Sequence, residues 1–289
     1  MDTLTDEKIK SLELRATMIR ESIIEMLLEA GSGHTAGPLG MADVFTLLYF
    51  HALKHDPKNP EWDERDRVVL SNGHICPVLY ATMAHRGYFP EEELLTLRKF
   101  GSRLQGHPHR AYLPMLETSS GPLGCGLSQA VGMALADRID SGVNSHKTIY
   151  ALLSDGEHDE GNTWEAVLLA GKEKLRNLIA IVDRNDIQID GYTEDIMPLG
   201  DLTRKYQEFG WHAQEVDGHN FQEINTAINK AKAVHEMPSV IIARTIPGKG
   251  VKEFERDYRW HGKPPNKEEA NMALKELRTL AGKIKSEHE

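Results

Sequence analysis

At 289 residues, with 40% hydrophobic and 27% charged side chains, the chain has the size and composition of one large or two small globular domains. Its formal net charge of −10 excludes nucleic acid as a general partner, since gripping a phosphate backbone takes a basic surface. No run of about eighteen apolar residues is present to span a membrane. The N-terminal stretch mixes acids with bases, unlike a signal peptide, and Cys76 and Cys125 stand far apart in no metal or disulfide pattern; a reducing, cytoplasmic setting is expected.

Residues 5–30 carry apolar side chains at helical intervals (Leu12, Leu14, Met18, Ile19, Ile23, Met26, Leu27), which predicts a long amphipathic helix stopped at Gly31-Ser32-Gly33-His34. A buried helix is expected over 41–54, a short strand at Arg67-Val68-Val69-Leu70, and a helix over 75–86 after the break at Ser71-Asn72-Gly73. A further helix is expected from Leu127. The apolar run from Thr148 to Leu153 predicts a strand buried on both faces. A helix over 162–174 follows, with Asn162 or Thr163 as its N-cap. Leu178 to Val182, Trp211 to Val216 and Ser239 to Ala243 supply three more strands, with a helix over 221–234 before the last. Strand and helix in alternation predict an α/β fold, a parallel sheet flanked by helices. Nothing divides the chain, which reads as one domain over residues 1–265 and a charged helical tail over 266–289.

In such folds ligands sit beyond the carboxyl ends of the strands. The strand ending at Leu153 delivers Ser154-Asp155-Gly156-Glu157, and the next one delivers Asp183-Arg184-Asn185-Asp186-Ile187. A right-handed crossover brings both ends to one edge. A carboxylate, an amide oxygen and a backbone carbonyl form a hard ligand set suited to Mg²⁺ or Ca²⁺ when a diphosphate completes the shell, with Gly156 allowing close approach and offering its N–H. Each of Asp155 and Asn185 alone would more simply be a turn residue after a strand; the pair, followed by Ile-Gln-Ile-Asp-Gly, favours a site.

The stretch SDGEHDEGNTWEAVLLAGKEKLRNLIAIVDRNDIQIDG resembles the thiamine-diphosphate signature, and its Ile-x-Ile-Asp-Gly ending resembles transketolase in particular. The resemblance implies that Asp155, Asn185 and the carbonyl of Ile187 bind the divalent ion that holds the diphosphate of thiamine diphosphate. The chain departs from the pattern at Ser154, where glycine is usual, and at Asp186. Among the 14 histidines, four stand in glycine-rich loops: His34 in GSGHTAGPLG, His74 in SNGHICP, His107 in QGHPHR and His261 in WHGKPP. These loops resemble transketolase segments in the same order, with Thr35-Ala36-Gly37 a departure. That implies His34 and His261 facing the donor sugar and the diphosphate, His74 near the cofactor, and His107 at the donor's first hydroxyl or carbonyl. The segment from Glu117 to Gly126 matches the loop whose glycine carbonyl meets the aminopyrimidine; Gly121 and Leu123 carry that match, with Ile189 packing from the other side. Glu160 matches a glutamate that couples two active sites across a subunit interface, although a solvated first-turn acid is the simpler account of it.

The resemblance covers about residues 10–265 and implies transfer of a two-carbon ketol unit between sugar phosphates. The family's pyrimidine-binding domain, whose glutamate activates the cofactor, finds no counterpart here. A second chain carrying that domain is therefore expected as partner, giving a heterotetramer. Alternatives are another thiamine-diphosphate enzyme (deoxyxylulose-phosphate synthase-like or 2-oxo-acid dehydrogenase alpha-like), or an inactive regulatory half. A nucleotide phosphotransferase is disfavoured because no Gly-x-x-x-x-Gly-Lys-Ser/Thr loop occurs, and a zinc hydrolase because the histidines lack the usual helical spacing.

Overall fold

The computed structural model describes residues 3–142 and 146–286. Residues 1–2 and 143–145 of the expected domain, and 287–289 of the expected tail, lie outside the described residues. Five parallel strands form the main sheet: β1 (Arg67–Leu70), β2 (Ile149–Ser154), β3 (Leu178–Arg184), β6 (His212–Asp217) and β7 (Ser239–Arg244), in the order β1-β2-β3-β7-β6. A two-stranded antiparallel ribbon, β4 (Ile187–Gln188) with β5 (Gly191–Tyr192), follows β3 directly.

The central strands are apolar through their middles, with Ser154, Asp183, Arg184 and Arg244 at their carboxyl ends, because helices cover both faces. Tyr150, Leu152, Ile179, Ile181 and Ile241 point into one core. It is shared with α1 (Asp6–Ala30), α2 (Ala36–Leu47), α3 (Cys76–Arg86), α8 (Phe221–Ala233) and α9 (Lys267–Ser286). Ile149, Ala151, Leu153, Ala180, Val182 and Ile242 point into the other, against α4 (Cys125–Ser141), α5 (Gly161–Glu173) and α7 (Leu202–Glu208). The period of two along each strand sorts side chains to the two layers. A short helix, α6 (Thr193–Ile196), leaves the ribbon. Among the described residues no helix is long and apolar enough to cross a membrane.

Helix α1 ends as its sequence dictates: Gly31 takes the left-handed conformation at φ 61° and its N–H bonds to Leu27 O at 3.0 Å. The helix expected over 41–54 begins earlier, at Ala36, and passes into a π-turn over Leu48–Ala52. The helix expected from Leu127 likewise begins two residues earlier, at Cys125. The capping expected for α5 is not what forms. Glu160 is the N-cap residue, with no side-chain bond, because Asn162 and Thr163 are drawn elsewhere. The Asn162 amide donates to Leu123 O at 3.3 Å and the Thr163 hydroxyl to Glu157 O at 2.7 Å. Tertiary contacts outbid the local cap. The expected tail is helical as α9, and Ala270, Ala273 and Leu277 bury its apolar stripe in the first core.

A buried ion pair ties this layer together. Arg20 on α1 meets Asp43 on α2 through two bonds, at 3.0 and 2.6 Å, and its Nε donates to Leu39 O. The other side of Asp43 receives His219 Nδ1 at 2.7 Å, while His219 Nε2 accepts the Ile246 N–H at 2.7 Å, which fixes the tautomer. Burial alone would raise the Asp43 pKa, but the Arg20 charge and the donors on His219 and Arg20 bring it from 3.8 down to about 2. The folded value lies below the unfolded one. The pair's contribution is therefore complete above pH 3.8 and disappears as the pH falls towards about 2. Asp43→Asn is expected to cost about 3 kcal/mol at neutral pH, since it leaves Arg20 buried without its counter-ion. Urea unfolding at stepped pH checks this: the gap between wild type and variant should narrow below pH 3.8.

Candidate active site

Parallel pairing brings Ser154 opposite Asp183, so β2 and β3 end side by side. The next residues turn into a single cavity of about 400 Å³ at this edge. Its lining includes Asp155, Gly156, Asn185, Ile187 and Ile189 from these two ends, His34, His74, His107 and His261 from four loops, and Gly121 and Leu123 from the segment before α4. Asp155 and Asn185 thus face the same space. Gly37, Ser154, Gln188, Asp190 and Ile196 complete the wall, none of them marked as a site residue by the sequence. Glu160 stands apart, exposed at the start of α5 and outside the cavity lining.

The carboxylate of Asp155 is buried and held from several sides. Its Oδ1 accepts the Gly156 N–H at 2.7 Å, so the amide expected to face a phosphate is engaged by the carboxylate. Its Oδ2 accepts Arg184 Nη1 at 3.1 Å, the Asp186 N–H at 2.8 Å and, at 3.4 Å, the Thr193 hydroxyl. Asn185 is oriented by Asp183: its Nδ2 donates to Asp183 Oδ2 at 2.7 Å, leaving Oδ1 as the acceptor side, where the Ile187 N–H donates at 3.1 Å. Burial pushes Asp155 up to about 6 against the pull of the Arg184 charge, and pushes Asp183 up to about 7 despite donors on Thr245 and Asn185.

Among the described residues no group of three or more His, Cys, Asp or Glu side chains is arranged to hold a metal ion by itself. An Asp–Asn–carbonyl set contains only one such side chain, and its oxygens suit a hard divalent cation whose other ligands come from a bound anion. Asp155 Oδ1 and Asn185 Oδ1 each carry a single protein donor and so keep acceptor capacity.

The histidines form a cluster. The ring of His34 lies 4.9 Å from that of His74 and 5.5 Å from that of His261, and His74 lies 5.2 Å from His261. Two links hold the loops together: the Thr35 hydroxyl donates to Lys263 O at 2.6 Å, and the Gly248 N–H donates to Ala36 O at 2.8 Å. The Nδ1 atoms of His34 and His261 are buried without a hydrogen-bond partner, which suits groups kept for a ligand. Burial, with the charges of His261, Arg98 and His107 adding to it, lowers His34 to about 4; burial also lowers His261 to about 4 and His74 well below its ordinary value.

Arg184 and Glu157 do not stand out in the sequence. Arg184 closes a buried strand and pairs with Asp155, with Asp186 at 3.1 Å and with Glu194. An arginine at the end of an otherwise apolar run was the available signal, because a buried guanidinium needs carboxylate partners. Glu157 is wholly buried, accepting from Ser71, Gly124 and Ser154, and burial raises it to about 7 against those three donors. Nothing in its local sequence distinguishes it from a solvated acid.

Residues 12–282 match the family model described as transketolase, thiamine diphosphate binding domain. The chain belongs to the transketolase family. Among its relatives, a 6-deoxy-6-sulfo-D-fructose transketolase subunit of Clostridium sp. (strain MSTE9) is 44% identical over 266 residues, covering 92% of this chain and 96% of the relative. An apulose-4-phosphate transketolase subunit of Phocaeicola vulgatus is 36% identical over 281 residues, covering 97% and 99%. The crystal structure of transketolase from Campylobacter jejuni superposes with a TM-score of 0.86 at 36% identity, covering 94% of this chain but 42% of that one. The parallel sheet with helices on both faces is thus the transketolase thiamine diphosphate-binding fold.

The depressed histidine values carry a sign. Because burial favours the uncharged ring, His34 and His261 stay neutral above about pH 5 and protonate only as the pH falls through about 4. Nitrogen-15 NMR of selectively labelled histidine should show these two rings unchanged between about pH 8 and 6.

Proposed function

We propose that the chain is the diphosphate- and Mg²⁺-binding subunit of a thiamine diphosphate-dependent transketolase. It moves a two-carbon ketol unit from a ketose phosphate to an aldose phosphate, together with a second chain that carries the pyrimidine-binding domain. The observation that carries this reading is one cavity lined jointly by Asp155, Asn185 and Ile187 and by four loop histidines.

In this reading Asp155 Oδ1, Asn185 Oδ1 and the Ile187 carbonyl hold Mg²⁺, or Ca²⁺ in its place, and the ion anchors the diphosphate. Gly156 lets the backbone lie close to it. The Gly121 carbonyl receives an amino group of the pyrimidine, and Leu123 and Ile189 supply apolar walls on either side of the rings. When bound, thiamine diphosphate supplies a carbon nucleophile that adds to a ketone carbonyl and stabilises the negative charge left when the adjacent carbon–carbon bond breaks. His34, His107 and His261 orient the sugar's hydroxyl and carbonyl oxygens. As neutral imidazoles they both donate and accept, so they can relay protons between those oxygens. His74 backs the cofactor. Glu160, exposed on α5, lies at a subunit interface and couples paired sites.

The two-chain arrangement is supported by relatives that are named subunits and are matched over 96% and 99% of their length, whereas the Campylobacter jejuni transketolase is matched over 42%. In this reading two copies of this chain pair with two second chains as a heterotetramer in the cytoplasm.

Two measurements test the proposal. Asp155→Ala should weaken Mg²⁺-dependent binding of thiamine diphosphate about a hundredfold by calorimetry, as loss of a charged metal ligand requires; unchanged affinity would remove Asp155 from the anchor. The purified chain alone should show no ketol transfer from a ketose phosphate and should gain it on mixing with the second chain. Full turnover by the single chain would overturn the two-chain model.

A further inference from the structure

Glu157 is a buried carboxylate that the proposed chemistry does not use, and its surroundings assign it a task. One oxygen accepts from both the Ser71 hydroxyl and the Gly124 N–H, and the other accepts the Ser154 N–H at 3.1 Å. These three donors come from three separate segments: the end of β1, the loop before α4, and the end of β2. Ser71 extends the link, because its hydroxyl also accepts the Gly126 N–H at 3.1 Å.

The joint has no slack. A Cβ on Gly126 would sit 2.5 Å from Ser71 Cα, and one on Gly124 would sit 2.0 Å from Asn162 Oδ1. Gly124 also adopts φ 80°, a left-handed conformation that directs its N–H inward at the carboxylate. The same loop carries Gly121 and Leu123, both in the cavity wall.

We propose that Glu157 is a positioning residue: it staples the loop bearing Gly121 and Leu123 to the ends of β1 and β2, and so sets the wall against which a flat heteroaromatic ring packs. The inference rests on the cofactor reading above. It separates two parts of the cavity, an anchor for the diphosphate at Asp155 and Asn185 and a ring wall whose placement depends on Glu157. Aspartate is too short to reach all three donors. Glutamine presents an N–H₂ where a donor already points, so it leaves at least one buried donor unpaired.

The test uses this chain assembled with its second chain, in the presence of Mg²⁺, with two probes, thiamine diphosphate and inorganic diphosphate. Glu157→Gln should weaken thiamine diphosphate about tenfold, the size of one unsatisfied buried donor, and leave inorganic diphosphate within about twofold of wild type. Hydrogen exchange followed by mass spectrometry should show faster exchange confined to residues 117–126, with β2 and β3 unchanged. Equal loss for both probes, no loss for either, or faster exchange throughout the sheet would each overturn the proposal. If Glu157→Gln does not fold, Ser71→Ala removes one of the three donors to Glu157, together with the acceptor of the Gly126 N–H, and should give the same selective pattern at about threefold or more; its absence there overturns the proposal equally. A wild-type two-chain assembly that binds inorganic diphosphate but not thiamine diphosphate would instead bring down the cofactor reading, and this inference with it.

Discussion

The site depends on the register between β2 and β3. Parallel pairing places Ile149 opposite Leu178 and continues residue by residue to Ser154 opposite Asp183, with the Asp155 N–H adding one last rung to Asp183 O at 3.1 Å. Side chains alternate along a strand, so a slip of one residue would move every side chain of the slipped strand into the opposite core, against different helices. The fit of the two cores thus locks the register. The locked register then fixes how far Asp155 and Asn185 stand from one another. A core-packing constraint becomes a ligand-placing one, without any contact between the two side chains.

Much of this is legible in the sequence because it depends on pattern. The central strands are unbroken apolar runs, which only a sheet covered on both sides accommodates, and β1 falls on the residues expected for it. The stop at Gly31 is legible for a similarly local reason, the left-handed conformation at the end of α1. The α5 cap differs from expectation because Asn162 and Thr163 bond to Leu123 and Glu157, partners that no local pattern reveals. Helices α6 and α7, of 4 and 7 residues, are too short to show a period. At the site, residues whose role comes from the backbone around them, such as the loop histidines beside glycines, stand out. Glu157 and Arg184 do not, because their importance lies in burial, which three dimensions decide.

Electrostatically the edge of the sheet is unbalanced. Asp155, Glu157 and Asp183 are all buried within a few residues of the strand ends, and Arg184 is a buried counter-charge to Asp155 alone among them. Backbone N–H groups and hydroxyls supply the rest of the stabilisation, which is why burial outweighs the donors at all three carboxyls. A fold selected for stability alone has no reason to gather such groups in one place. Conflicts of this kind concentrate where a protein is shaped around something other than itself, and on the function proposed above a divalent cation would relieve it at Asp155.

The opposite wall follows a different logic. Its histidines are neutral and lean on one another, and their placement comes from hydrogen bonds between loops far apart in sequence. Thr35 is tied to Lys263 and Ala36 to Gly248, while Ile246 is held by His219, which is itself held by Asp43 and through it by Arg20. The buried ion pair between α1 and α2 is therefore linked through His219 to Ile246 in the segment after β7, and Gly248 of that segment is tied to Ala36, beside the cavity-lining Gly37. A substitution at Thr35 is consequently not a local change: losing its hydroxyl frees the loop of Lys263 and, two residues before it, His261. On this scaffold residues 35–36 and the segment 248–263 hold one another in place, because they share hydrogen bonds behind this wall of the cavity.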